Sequence, residues 1–119
     1  MRLYYICLLR KGPNWTAEES PELERLQAQH VAHNFHLMEI GAKLVAGPVD
    51  DGSDVRGMSI FMTATLDEAR ILAEADPAVR SGRFVVEIHP WMVPIGRLPA
   101  PANESRNVSS EESAAGSAG

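Results

Sequence analysis

The stretch that decides the fold is residues 2–10, which read RLYYICLLR. Aromatic and β-branched side chains favour an extended strand here, and Lys11-Gly12-Pro13 ends it. Successive side chains of a strand point to opposite faces of a sheet. Both faces of this strand are apolar: Leu3, Tyr5, Cys7 and Leu9 lie on one, and Tyr4, Ile6 and Leu8 on the other. We therefore expect a central strand that is covered on both sides.

The segments that follow predict a helix, two strands, a helix and a last strand. The first helix begins after Thr16 or Ser20 and ends at Gly41, and Ser20 would place Pro21 at the first helical position. Strands are expected over 43–47, 56–64 and 83–90, and a second helix over 66–75. The order βαββαβ predicts an α+β, ferredoxin-like sandwich with an antiparallel four-stranded sheet.

A second copy of the chain is expected to cover one face of this sheet. Two helices can cover only one face, and the third strand resembles the first in having apolar side chains on both. An open apolar face of this size is rare on a monomer. We therefore predict a twofold homodimer that packs sheet to sheet.

Composition limits the class of protein and its partners. The chain has 119 residues, 45% of them hydrophobic and 23% charged, and a formal net charge of -5. This size suits one domain, and the acidic balance argues against nucleic acid and against an anionic membrane surface. The single cysteine, Cys7, is expected to be a buried hydrophobe. No segment has the pattern of a secretory leader or a spanning helix, so a cytoplasmic location is expected.

The composition also divides the chain. Residues 1–94 alternate apolar segments with turns and form the predicted domain. Residues 95–119 are rich in Ser, Ala, Gly, Pro and Glu, with almost nothing to bury beyond Leu98 and Val108. Such a segment cannot offset the entropy lost on ordering, so a flexible tail is predicted.

Three histidines recur along the first helix, at His30, His33 and His36. His30 and His33 would lie about 60° apart around the helix axis, and the three cannot converge on one metal ion from a straight helix. No metal site is therefore expected. His36 is interpreted as solvated, and His33, at the edge of the apolar face, as a partly buried histidine.

His30 occupies the middle of the apolar face, alongside Leu23, Leu26 and Leu37. One reading is a core histidine whose ring nitrogens are hydrogen-bonded, and the other is an acid/base group that works near neutral pH. The pair Asp76-Pro77 reads first as a helix cap. A carboxylate has two oxygens, however, so Asp76 could cap with one and orient an imidazole with the other.

Polar and aromatic side chains recur along one face of the last strand, at Arg83, Glu87, His89 and Trp91. They could line a polar pocket or form cross-strand pairs at a dimer interface, and the interface is favoured.

Four motifs together resemble the YCII-related domain family. They are His30 with Gly41, the run Lys43-Leu44-Val45-Ala46-Gly47-Pro48, Asp76-Pro77-Ala78-Val79 with Gly82, and Val86-Glu87-Ile88-His89-Pro90-Trp91. The resemblance covers about residues 2–94 and implies a ferredoxin-like subunit of a dimeric α+β barrel. It also implies an acid/base pair, which maps by motif onto His30 and Asp76. His33 and His36 are not part of the family pattern.

The function expected from these readings is proton transfer on a small cyclic oxygenated molecule. The reaction would be an elimination or isomerisation, of the dehydrochlorinase or muconolactone isomerase type, without an organic cofactor. His30 would be the base, Asp76 would hold its ring, and Arg83 or a backbone N–H would stabilise negative charge. The candidate substrate-binding residues are Arg83, His33, His89 and Trp91. The alternative is a non-catalytic module that binds a small ligand or serves another protein.

Overall fold

The structure, a computed structural model, describes residues 1–99. Its elements are β1 (Arg2–Lys11), α1 (Pro21–Glu39), β2 (Lys43–Pro48), β3 (Val55–Phe61), α2 (Leu66–Glu74), α3 (Pro77–Arg80) and β4 (Phe84–Val93). The predicted βαββαβ order is confirmed, with the short α3 added between α2 and β4. Residues 95–99 of the predicted tail belong to the described part, and residues 100–119 lie outside it.

The four strands form one antiparallel sheet in the order β2-β3-β1-β4. The central strand β1 pairs with β3 from Tyr5↔Phe61 to Arg10↔Val55. It pairs with β4 along its whole length, from Arg2↔Val93 to Lys11↔Phe84. This arrangement is the ferredoxin-like α+β sandwich that the sequence predicts.

Local hydrogen bonds set the ends of the helices. Ser20 caps α1, and its hydroxyl accepts from the backbone N–H of Leu23 at 3.2 Å. Thr16, the alternative cap, accepts from Glu18 outside the helix. Gly41 follows α1 with φ +82°, a left-handed conformation that glycine adopts without strain.

Two strand ends differ by three residues from the sequence prediction, and the other strand bounds lie within one residue of it. β3 ends at Phe61 rather than continuing to residue 64, and the next backbone N–H, of Met62, donates to Ala42. β4 continues past Pro90 to Val93 because β1 offers Arg2 as a partner there. Pro90 is tolerated since β4 is an edge strand of this sheet.

β1 has apolar side chains on both faces, as predicted, but within one chain only the helix-side face is largely covered. The helix-covered face holds the main core: Tyr5, Cys7, Leu37, Phe61, Ala69, Ala73 and Ile88. The opposite face holds a smaller cluster of Tyr4, Ile60 and Val93, against which Leu98 packs. Other apolar groups there stay open, including Val45 at 50% and Trp91 at 37% exposure. This open face has the apolar character expected of a dimer interface, and the dimer itself stays a prediction.

Candidate functional site

A cavity of about 350 Å³ lies between α1 and the sheet. Its volume falls in the range of sites that hold small molecules. The walls contain small residues where a core would carry larger ones, at Ala46, Gly57 and Ala73. The only buried residue of α1 is Leu37, so this helix does not fill the space beneath it. The cavity thus follows from small side chains on the sheet and polar ones on the helix.

His30 and Asp76 meet at the wall of this cavity. The Nδ1 atom of His30 lies 2.5 Å from Oδ2 of Asp76, and the two side chains are 14% and 5% exposed. The other carboxylate oxygen, Oδ1, accepts from the backbone N–H of Ala78 at 2.8 Å and so caps α3. Asp76 therefore makes both of the contacts that the sequence analysis considered: one oxygen caps α3, and the other contacts the imidazole of His30.

Asn34 and Lys43 extend this pair into a chain of four polar side chains. The ammonium of Lys43 donates to Oδ1 of Asn34 at 2.6 Å, and Nδ2 of Asn34 lies 3.4 Å from Nε2 of His30. Since Lys43 can only donate, it turns the amide oxygen of Asn34 toward itself and the amide N–H toward His30. This arrangement favours a proton on Nδ1, facing Asp76, and a lone pair on Nε2 that faces the amide of Asn34.

Lys43 is buried to an unusual degree for a lysine, at 6% exposure. Burial lowers its pKa, and its ammonium lies 4.6 Å from the centre of the Phe61 ring. The sequence analysis did not identify Lys43 or Asn34 as site residues. Two signals were available: a lysine between Ala42 and Leu44 at the start of an apolar strand, and an amide one helical turn after His30.

Aromatic and cationic side chains form the other end of the cavity. The ring of Phe84 meets His30 edge to face at 5.7 Å. Arg83 lies beyond Phe84, with its guanidinium carbon 5.5 Å from that ring and 5.8 Å from the ring of Trp15. Its Nη1 donates to the Thr16 carbonyl at 3.0 Å, which holds the side chain on this wall. Trp15 was also missed by the sequence analysis, because it lies in the loop between β1 and α1.

Arg83 does not share a face with the polar residues of β4, so that prediction is wrong. The strand begins only at Phe84, and Arg83 lies on the cavity wall. His89 and Trp91 lie on the opposite, open face of the sheet. There His89 contacts Glu87 at 2.5 Å, and Arg10 of β1 donates to Glu87 at 2.6 Å. The structure thus brings Arg83 to the His30 site and does not bring His89 or Trp91 there.

The other two histidines of α1 differ in their surroundings. His33 is partly buried and lines the cavity, and its Nε2 donates to the carbonyl of Leu72 at 2.8 Å. This bond ties α1 to α2, as expected of a partly buried structural histidine. His36 is exposed, as predicted. Whether His33, His89 or Trp91 contacts a substrate stays a prediction.

Cys7 also lines the cavity, and it is buried at 2% exposure. Burial raises its pKa, and a hydrogen bond with Ser59 and the charge of Lys43 offset this only in part. A raised pKa disfavours the thiolate, which is the nucleophilic form. The interpretation of Cys7 as a small buried hydrophobe agrees with this environment.

Across residues 1–99, no three His, Cys, Asp or Glu side chains come together as a set of metal ligands. The same part of the chain contains no helix long and apolar enough to span a bilayer.

Comparison with known proteins identifies the family. No protein with a curated function matches the chain. One similar solved structure is the 5-chloro-2-hydroxyhydroquinone dehydrochlorinase of Burkholderia phenoliruptrix, in complex with 2,5-dihydroxybenzoquinone. It is 22% identical, the match covers 77% of this chain and 95% of that one, and the TM-score is 0.49. Another is a protein from Agrobacterium tumefaciens that is 19% identical, with 82% and 97% of the two chains covered and a TM-score of 0.45. The model of the YCII-related domain matches residues 3–92, and the chain belongs to this family.

Proposed function

We propose that this protein is an enzyme that moves a proton on a small cyclic oxygenated molecule, by elimination or isomerisation. The observation that supports this most directly is the contact of His30 with Asp76 at the wall of the cavity. An imidazole held by a carboxylate through Nδ1 is oriented as a base through Nε2.

The proposed step starts with the lone pair of Nε2 of His30. It removes a proton from a substrate carbon, and the carboxylate of Asp76 stabilises the imidazolium that forms. In an elimination, the electron pair of the broken C–H bond forms a new double bond and the leaving group departs with its own pair. In an isomerisation, the imidazolium returns the proton to another carbon. Neither route needs an organic cofactor.

Asn34 and Lys43 support this role by their positions. The amide N–H of Asn34 points at the basic nitrogen in the free enzyme. It can instead donate to a substrate oxygen next to the reacting carbon. Lys43, buried behind it, fixes the direction of that amide and places a positive charge near the developing enolate.

The experiment is a thermal-shift screen of small phenols, lactones and haloaromatics, followed by turnover assays on each compound that stabilises the protein. The test variant is His30→Asn, because its amide can still donate to Asp76 while the base is lost. The matched control is His36→Asn, which changes an exposed histidine on the same helix. We expect His30→Asn to lose about 10²- to 10⁴-fold in kcat and His36→Asn to keep the wild-type rate.

Two outcomes would contradict the proposal. If His30→Asn turns over substrate at the wild-type rate, His30 is not the base. If compounds bind to wild type and none of them is converted, the alternative of a non-catalytic ligand-binding module is favoured.

A further inference from the structure

We propose that the Trp15 end of the cavity binds the carboxylate of a planar conjugated acid, such as an aromatic carboxylate. This inference rests on the proposed function, since it names the substrate class for the same cavity. It comes from the charges and rings around Trp15, which the His30–Asp76 contact does not explain.

The cavity wall is positive in a chain whose net charge is -5. Arg56 and Arg83 line it, and a guanidinium is charged at every physiological pH. Lys43 lines it too, although burial lowers its pKa. Among residues 1–99, the only carboxylate on the wall is Asp76, whose two oxygens already bond to His30 and Ala78. The wall therefore has an excess of positive charge.

Three cations gather around one indole ring. The ammonium of Lys11 lies 4.3 Å from the centre of the Trp15 ring, and the guanidinium carbons of Arg56 and Arg83 lie 5.5 and 5.8 Å from it. The ring attracts each of them weakly, but like charges so close together repel one another. A bound anion would relieve this repulsion and gain hydrogen bonds from both guanidinium groups.

The nearby acids do not neutralise this cluster. Within residues 1–99, no carboxylate lies within 4 Å of the charged nitrogens of Lys11, Arg56 or Arg83. The backbone carbonyl of Asp54 accepts from the backbone N–H of Lys11, but the carboxylate of Asp54 faces Arg10.

Arg56 also lies near the carboxylate of Asp51, in the loop before β3. The lowered pKa of Asp51 comes first from hydrogen bonds with Ser53, and the charge of Arg56 contributes least. Asp51 is fully exposed in its loop, so water screens this interaction. The positive charge at the Trp15 end of the cavity is therefore still available to a ligand.

The rings on the wall favour a planar ligand. Phe84 lies between the two ends of the site, 5.7 Å from His30 on one side and 5.5 Å from the Arg83 guanidinium on the other. An aromatic acid held by Arg83 and Arg56 would lay its ring against Phe84 and Trp15. Its far edge would then reach toward Nε2 of His30. Arginine suits this role because its planar fork can hold both carboxylate oxygens at once.

The experiment measures binding by isothermal titration calorimetry, with matched acids and amides as probes. The pairs are benzoate with benzamide and 4-hydroxybenzoate with 4-hydroxybenzamide. Each pair keeps the ring and its shape and differs in charge. The variants are Arg56→Gln and Arg83→Gln. Arg70→Gln is the control, because Arg70 lies on α2, does not line the cavity and pairs with Glu74.

We expect at least one acid to bind about 10-fold or more tightly than its amide. Arg56→Gln and Arg83→Gln should each weaken binding of that acid by about 10- to 100-fold, with little effect on the amide. Arg70→Gln should bind both as wild type does. The side chain of Arg56 donates no hydrogen bond to another described residue, so its variant stays informative even if Arg83→Gln, which loses the bond to Thr16, is unstable.

The inference is overturned if no acid binds, if acids bind no better than amides, or if Arg70→Gln weakens binding as much as Arg56→Gln does. The same titrations with His30→Asn separate it from the proposed function. Selective binding of an acid by His30→Asn supports the anion site whatever happens to turnover. Conversely, His30-dependent turnover without any preference for acids would leave the proposed function standing and remove the inference.

Discussion

At the scale of single residues, the site is built from polar groups that reduce the burial of apolar surface. His30 lies on the inner side of α1, where a leucine would bury more apolar surface, and Asp76 is buried at 4% exposure. Each is stable there because its hydrogen-bonding atoms find partners, which removes most of the cost of burial. For Lys43 the cost of burying the charge is only partly offset, and its pKa is therefore lowered. Functional sites often carry such locally unfavourable residues.

A substitution can separate the roles of the two carboxylate oxygens of Asp76. Asp76→Asn keeps an oxygen for the cap on Ala78 and presents an amide N–H to His30. The imidazole must then accept at Nδ1 and carry its proton on Nε2, so the base is lost. We expect turnover to fall by about 10²- to 10⁴-fold, and thermal unfolding to show a loss of stability of about 1–3 kcal/mol.

The control for a lost cap is Thr65→Ala. The hydroxyl of Thr65 accepts from Glu68 at the start of α2 and has no contact with the cavity. This variant should lose about 1 kcal/mol of stability and keep its turnover. Equal turnover in Asp76→Asn and wild type would show that the carboxylate acts only as a cap.

Lys43→Met is predicted to uncouple stability from activity. Folding lowers the pKa of Lys43, so the buried ammonium destabilises the folded state when the pH is below that pKa. This destabilisation decreases as the pH rises and the amine loses its proton. Methionine fills the same space without a charge. We expect the free energy of unfolding at neutral pH to stay equal or rise by about 1 kcal/mol.

Turnover of Lys43→Met should fall by at least about 10-fold, because Asn34 loses the donor that orients it. Denaturant unfolding curves at neutral pH and at pH 9, together with kcat, test this prediction. A large loss of stability at neutral pH combined with full activity would make Lys43 a structural residue.

At the scale of the elements, two glycines hold the loop that carries Trp15 against the start of β4. A side chain added at Gly12 would place its Cβ 2.3 Å from the carbonyl oxygen of Gly82. Gly82 itself has φ +82° and lies against Asn14. The backbone N–H groups of Gly12 and Asn14 donate to Arg83 and Gly82 at 2.7 and 2.8 Å. This junction of residues 12–14 with residues 82–83 places Trp15 and Arg83 beside each other.

Gly12→Ala should therefore disrupt both ends of the junction. The clash is with backbone, which cannot move aside cheaply, and we expect a loss of about 1–3 kcal/mol in thermal unfolding. Weaker binding of an aromatic acid should accompany it. Gly47→Ala is the control, since a Cβ there meets nothing within 4 Å and its φ is not positive. Equal stability of the two variants would contradict this account of the junction.

On the open face, the contacts of Glu87 on β4 with His89 and with Arg10 of β1 are predicted to make a pH-dependent contribution to folding stability. Hydrogen bonds from His89 and from Arg10 lower the pKa of Glu87. A carboxylate whose pKa is lowered on folding stabilises the protein above its ordinary pKa, and this contribution is lost as the pH falls through the folded value. The melting temperature of wild type should exceed that of Glu87→Gln at pH 6, and the difference should vanish toward about pH 3.

Glu39→Gln serves as the control for Glu87. Glu39 is exposed at the end of α1 and makes no ion pair within the described part of the chain. Its variant should show no such pH-dependent difference. If Glu87→Gln and Glu39→Gln behave alike across this range, the network on the open face does not contribute to stability.

At the scale of the whole molecule, one face of the sheet is covered by helices and the other is only partly covered. The helices cover one face, while the other keeps Trp91 and Val45 partly open. Leu98, just after β4, covers part of this second face. The remaining apolar surface supports the predicted sheet-to-sheet homodimer, in which Trp91 would lie in the interface.

Light scattering should give twice the chain mass of 13.0 kDa for wild type. Trp91→Lys should shift the protein toward the monomer at concentrations on the order of 10 µM, because a charge would be buried in the interface. Ile71→Lys is the control, since Ile71 is more exposed, at 67%, and lies on α2. A monomeric wild type at that concentration, or a dimeric Trp91→Lys, would contradict the predicted interface.

The sequence by itself determined the order of the elements, the cap at Asp76, the stop at Gly41 and the two apolar faces of β1, and it limited the cap of α1 to Thr16 or Ser20. These features depend on side-chain periodicity and on hydrogen bonds between near neighbours, which a sequence displays directly. His30 and Asp76 were linked only by the resemblance to a family, because residues 46 apart share no local signal.

Only the tertiary structure decided which other side chains join His30 and Asp76 in the site. It turned Arg83 to the cavity, set Lys43 behind Asn34, and gathered three cations around Trp15. Such contacts depend on how separate segments pack and where the strand register ends. One residue of shift at the start of β4 moves a side chain to the other face of the sheet.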